Sequence, residues 1–171
     1  MSGVIRSEDV KDACTVLEYL VHDLIAAHQL YDFFTDITKI APVHPETEKA
    51  VRRMYVSTLF LSLNKFLEFY DRYSWLIPNS CKQKSREIRK ELTRRNIKKL
   101  RNTFIGHVMN KETGRPISNA ELDAAFNTAI DGDLIAFLKW VHVTGVALSP
   151  ETIVGALQSI QSELVKTYGV T

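Results

Sequence analysis

Arg101, Asn102 and His107 fall within "KKLRNTFIGH", residues 98–107, and are the side chains of this sequence most suited to act on a substrate together. A histidine with its ordinary pKa near 6.5 takes or gives a proton close to neutral pH. An arginine holds phosphate in a fixed fork and stabilises charge that grows on it. Together they suffice for metal-independent RNA cleavage. The histidine would assist attack of a ribose 2′-OH on the adjacent phosphate, and the arginine would steady the pentacoordinate transition state. Asn102 would orient the histidine or hydrogen-bond the phosphate. On a straight helix the step from Arg101 to His107 spans about 9 Å along the axis and roughly 120° around it, so the side chains do not stack. Both still reach a groove flanking the helix, above all one made with a second copy of the same helix. Gly106 removes a side chain beside His107 where a backbone or phosphate can approach closely, or it merely loosens the helix end. The plain alternative is a helix-surface arginine and an interface histidine.

Charge supports a polyanion partner. Net charge is +2, yet residues 82–101, "KQKSREIRKELTRRNIKKLR", carry +8, which leaves about −6 for the rest of the chain. A localised basic stripe is the electrostatic footprint of RNA binding, and Arg94, Arg95, Lys98 and Lys99 are the candidate phosphate-binding residues. A solvated helix face would carry the same composition.

The elements that must position these groups are helical. From Ser7, expected as an N-cap, Val10, Cys14, Leu17, Val21, Leu24, His28, Tyr31 and Phe34 recur at three- and four-residue steps as one apolar stripe. Pro42 and Pro45 close that helix. A second helix is expected from about Glu46 to Ile77, with Met54, Leu59, Leu63, Phe66, Leu67, Tyr70 and Trp75 at helical spacing, ended by Pro78-Asn79-Ser80. The basic third helix is expected from about Gln83 to Val108, with Ile88, Leu92, Leu100 and Phe104 facing inward. Ser118 to Glu121 reads as a capping box opening a fourth helix through Leu122, Phe126 and Ile130. "DGD", 131–133, breaks or kinks it before 134–143. Ser149 as N-cap with Pro150 at the first helical position opens the last helix, to Tyr168. The expected fold is all-α, an antiparallel bundle of four to five helices in a single domain, 1–171.

Other chemistries find no support. The seven glycines form no phosphate loop, and HExxH and Glu-x-x-His are absent. Glu18 and His22 are four apart but lack further ligands at matching spacing, so no metal site and no cofactor are expected. His28, on the apolar stripe, reads as a hydrogen-bonded core or interface histidine. Tyr70, Asp71 and Arg72 in "EFYDRYSW" read as an aromatic core position flanked by a surface ion pair, or as the lining of a pocket beside the third helix. Two cysteines, Cys14 and Cys81, suit a reducing compartment, and no apolar run reaches the length of a membrane span. With no secretory apolar segment in "MSGVIRSEDVKDA", cytoplasm is the expected location.

"LRNTFIGH" resembles the Arg-polar-x4–6-His signature of the HEPN superfamily. More narrowly, "KKLRNTFIGH" is similar to the "LRNKxxAH" segment of AbiU2-like HEPN proteins of bacterial abortive infection systems. The resemblance implies a helical bundle that dimerises with its signature helices juxtaposed. It also implies a composite site of Arg101, Asn102 and His107 from both chains, and a metal-independent RNase of toxin or phage-defence type restrained by an antitoxin or neighbouring defence protein. Met109 stands where HepT-type toxins carry a modified tyrosine, so that mode of restraint is not implied. Inactive members that bind RNA or act as protein scaffolds supply the alternative function.

Overall fold

Among the described residues, two long helices with matched apolar faces organise the molecule, and five shorter ones close over them. A computed structural model describes residues 6–102, 114–143 and 149–169. Helix α1 (Ser7–Ile40) and helix α2 (Pro45–Tyr73) are joined by the proline-bounded loop, with His44 Nδ1 accepting from the Glu46 N–H at 3.3 Å and Pro45 at the first turn. They run antiparallel: Tyr31 meets Tyr55 edge to face, and Lys65 pairs with Asp23 at 3.1 Å. The expected stripe of α1 points inward, with Val10, Leu17, Val21, Leu24 and His28 buried and Cys14, Tyr31 and Phe34 partly so. Ser7 is the first helical residue rather than the cap; Arg6 takes the cap position and its guanidinium reaches Asp9 at 3.1 Å.

On α2, Leu59, Leu63, Phe66 and Leu67 are buried, whereas Met54 (59%) and Trp75 (52%) are exposed. The helix ends at Tyr73, four residues before the expected Ile77, and the turn that follows buries Leu76 and Ile77. Helix α3 (Asn79–Arg94) starts directly after Pro78, earlier than the expected Gln83, because the fixed φ of that proline suits the residue preceding a helix.

The expected third helix is not continuous. It breaks at Asn96, whose φ of 55° is left-handed, and resumes as the short helix α4 (Ile97–Leu100), which carries helical geometry into Arg101. Asparagine tolerates this conformation better than other non-glycine residues. Ile88, Leu92, Ile97 and Leu100 are buried; Phe104 lies outside the described residues.

Helix α5 (Asn119–Ala129) opens with the expected capping box: the Glu121 N–H donates to Ser118 Oγ, and the Ser118 N–H donates to the Glu121 carboxylate. The "DGD" break is real, with Asp131 and Gly132 at φ 52° and 75°, and Asp133 then caps helix α6 (Leu134–Val141). Helix α7 (Ile153–Tyr168) begins three residues later than Pro150 would place it. Thr152 is its cap, accepting from the Gly155 N–H at 3.1 Å, and Ser149 forms the preceding turn instead.

The core joins α1, α2, α6 and α7 through Leu17, Leu24, Phe60, Leu63, Phe66, Phe137, Leu157 and Ile160. Burying a large apolar side chain of this kind contributes about 1.5–3 kcal/mol, so these contacts dominate over any surface ion pair. The protein is an all-α helical bundle, and no β-strand occurs among the described residues. Among them, too, no helix is long and apolar enough to cross a membrane.

Candidate nucleic-acid interface

A cleft of about 640 Å³ opens where α2, α3 and α4 meet, lined by Leu67, Asp71, Arg89, Thr93, Asn96, Lys98, Lys99 and Asn102. The break at Asn96 makes it. Because the chain changes direction there, Ile97 and Leu100 turn into the core while Lys98 and Lys99 stay exposed along the cleft.

Arg101 follows directly, exposed, with its Nη1 donating to Asn102 Oδ1 at 2.8 Å. Asn102 lines the cleft, and Arg101 is hydrogen-bonded to it without itself being part of the lining. His107, the third candidate, lies outside the described residues, as do Gly106 and Met109.

Of the four candidate phosphate-binding residues, the structure separates two pairs. Arg94 is held by Glu91 and Asp131. Hydrogen bonding to Arg94 is the main reason that both carboxyls sit below their usual range. Arg95 is mostly buried: its guanidinium pairs with Glu91 at 2.8 Å and Asp131 at 2.9 Å and donates to the Ala129 carbonyl at 2.8 Å. It also lies over the rings of Phe137 and Trp140, each 5.2 Å away. Arg95 thus fastens α3 to the α5–α6 turn. Immediately preceding Asn96, this fastening fixes the direction in which α4 leaves α3. Lys98 and Lys99 are the residues of the four that line the cleft.

Asp71 is at the cleft, as the pocket reading of "EFYDRYSW" anticipated, but its ionic partner is not Arg72. Arg89 donates to it at 3.1 Å and also lies over the Tyr70 ring at 5.2 Å, while Arg72 covers Tyr73. Sequence reasoning gave Arg89 no individual role; its place one helical stripe from Arg86 and Thr93 was the available signal, and its partner on α2 was not.

A second titratable cluster lies away from the cleft. His28 and His142 meet edge to face at 5.6 Å, both buried, and burial pushes both imidazoles below their ordinary pKa. His28 was expected to be hydrogen-bonded. Its Nδ1 has no partner among the described residues, and its Nε2 stands 3.7 Å from Asp32, beyond hydrogen-bond range. Glu18 and His22 are both exposed on α1, and among the described residues no three His, Cys, Asp or Glu side chains converge as a metal site would require.

No family model matches the chain, and no curated protein does. Among solved structures one likeness covers nearly the whole molecule. The chain shares its fold with an integron cassette protein. That protein comes from the mobile metagenome of V. paracholerae; the match has a TM-score of 0.73 at 24% identity, over 95% of this chain and 99% of the cassette protein. The likeness is one of fold.

Proposed function

We propose that this protein is a metal-independent endoribonuclease of toxin or phage-defence type, related to the HEPN superfamily, that acts in the cytoplasm as a homodimer. The observation that carries the reading is the cleft itself: Lys98, Lys99 and Asn102 line it, and Arg101, hydrogen-bonded to Asn102, adjoins it. Lys98 and Lys99 hold the phosphates that flank the scissile bond. His107 takes the proton of the ribose 2′-OH as its oxygen bonds to the neighbouring phosphorus. Arg101 stabilises the charge on the pentacoordinate phosphorane, and the 5′-oxygen of the next nucleotide leaves with a proton. The products are a 2′,3′-cyclic phosphate and a 5′-hydroxyl. Asn102 keeps the Arg101 guanidinium aimed. A second subunit supplies its own Arg101 and His107 to the composite site, and a neighbouring defence protein restrains it.

Replacing both lysines, Lys98→Glu with Lys99→Glu, should weaken binding of a non-cleavable single-stranded RNA by tenfold or more. It should also flatten the salt dependence, since each lost phosphate contact removes about 0.7 from the logarithmic slope. Both side chains are exposed, so the melting temperature should hold. Titration by fluorescence anisotropy across a salt series measures this. Unchanged affinity and slope would mean that the cleft binds no RNA.

A further inference from the structure

The cleft contains one group that a phosphate site has no use for. Asp71 places a carboxylate among Arg89, Lys98 and Lys99, where it repels the RNA backbone. We propose that Asp71 reads the base, and that the nucleotide seated in the cleft is preferentially guanosine; this rests on the reading of the cleft as an RNA site.

Two physical features suit Asp71 to that role. Its carboxylate is held, because Arg89 donates to Oδ1 at 3.1 Å and is itself seated over Tyr70. It is also open, with 60% of the side chain exposed. An ionised carboxylate only accepts hydrogen bonds, through two oxygens side by side. Guanine alone among the four RNA bases presents two neighbouring N–H donors, N1–H and N2–H, on its Watson–Crick edge. Adenine and cytosine set one amino donor beside a ring-nitrogen acceptor, and uracil sets N3–H between two carbonyl oxygens. Each of those three meets the carboxylate with one donor and at least one repelled acceptor.

The division of charge in the cleft fits this orientation. Lys98 and Lys99 come from α4, while Asp71 and Arg89 come from α2 and α3. The backbone is drawn to the lysines and the base edge to Asp71. Single-stranded RNA is suited to such reading because its Watson–Crick edges are free.

The test uses the full-length protein and short 2′-O-methyl oligouridines with G, A, C or U at the centre, whose blocked 2′-OH prevents cleavage. Affinity is read by fluorescence anisotropy for wild type, Asp71→Asn and Asp71→Ala, with melting curves to confirm folding. Wild type should bind the G oligonucleotide about tenfold tighter than the other three. Both variants should lose that preference and bind the A, C and U oligonucleotides as well as, or better than, wild type, since a repulsive charge has gone. Absence of a G preference in wild type, or its survival in the variants, overturns the inference while the RNA site stands. Equal weakening toward all four also overturns it, and assigns Asp71 to holding Arg89. Failure of wild type to bind any oligonucleotide overturns the RNA reading of the cleft together with the inference.

Discussion

Gly155→Ala should destabilise the protein by about 3 kcal/mol or more, although helix propensity alone favours alanine by about 1 kcal/mol. Gly155 lies in the first turn of α7, where the preceding turn folds back on the helix. A Cβ built there would run into the carbonyl oxygen of Ser149 and stand 2.6 Å from its carbon. Those are backbone atoms, so no side chain can swing aside. Nor can the turn relax freely, because the same Ser149 oxygen accepts from the Thr152 N–H at 3.0 Å and from Thr152 Oγ1 at 2.8 Å. Accommodating the methyl group means breaking the cap of α7 or shifting a helix whose Ile153, Val154 and Leu157 are wholly buried. For a domain of this size the melting temperature should fall by roughly 6–12 °C, read by circular dichroism. An unchanged or raised melting temperature would mean that the 149–152 turn does not lie against Gly155.

The second large effect is on activity. Arg101→Ala should lower RNA cleavage by about 10²–10³, the usual loss when one stabilising group is removed from a developing oxyanion. His107→Ala should lower it by about 10²–10⁴, the range for loss of a general acid-base. The Arg101 substitution should not be mirrored in stability to a comparable degree. Arg101 is exposed and bonded to its own neighbour Asn102, so its truncation opens no cavity. Initial rates on a labelled RNA, normalised to folded protein, measure both effects. Loss of activity from Arg101→Ala accompanied by a collapse in melting temperature would instead assign that arginine to the fold.

Much of the fold was legible because its signals are local. The three- and four-residue spacing from Val10 to His28, the prolines at 42 and 45, the Ser118–Glu121 box and the Asp131–Gly132–Asp133 break each act within a turn or two of themselves. What was not legible depends on partners distant in sequence. The third helix reads as continuous through Arg95-Asn96 by periodicity. It breaks at the left-handed Asn96, directly after Arg94 and Arg95, which are tied to Asp131 and, for Arg95, lie over the rings of Phe137 and Trp140. The same contacts explain why two arginines in a basic stripe are tied into the structure while two lysines a few residues on line a cleft. At α7, the Ser149-Pro150 signal does mark a turn, but Thr152 outcompetes Ser149 as the cap because the turn carries the chain one step further before the helix begins. Spacing alone does not separate a surface ion pair at Asp71 from a pocket lining, and its pairing with Arg89 across two helices is a contact between residues distant in sequence.

The central claim is that Arg101 and His107 cleave RNA without a metal. The most direct measurement incubates purified protein with a broad RNA set in EDTA, beside Arg101→Ala and His107→Ala, and identifies the 3′ ends of the products. The prediction is cleavage that persists in EDTA, leaves 2′,3′-cyclic phosphates and disappears in both variants. No cleavage of any RNA, or equal cleavage by wild type and variants, would contradict it and leave a helical protein that binds RNA or a partner without cutting.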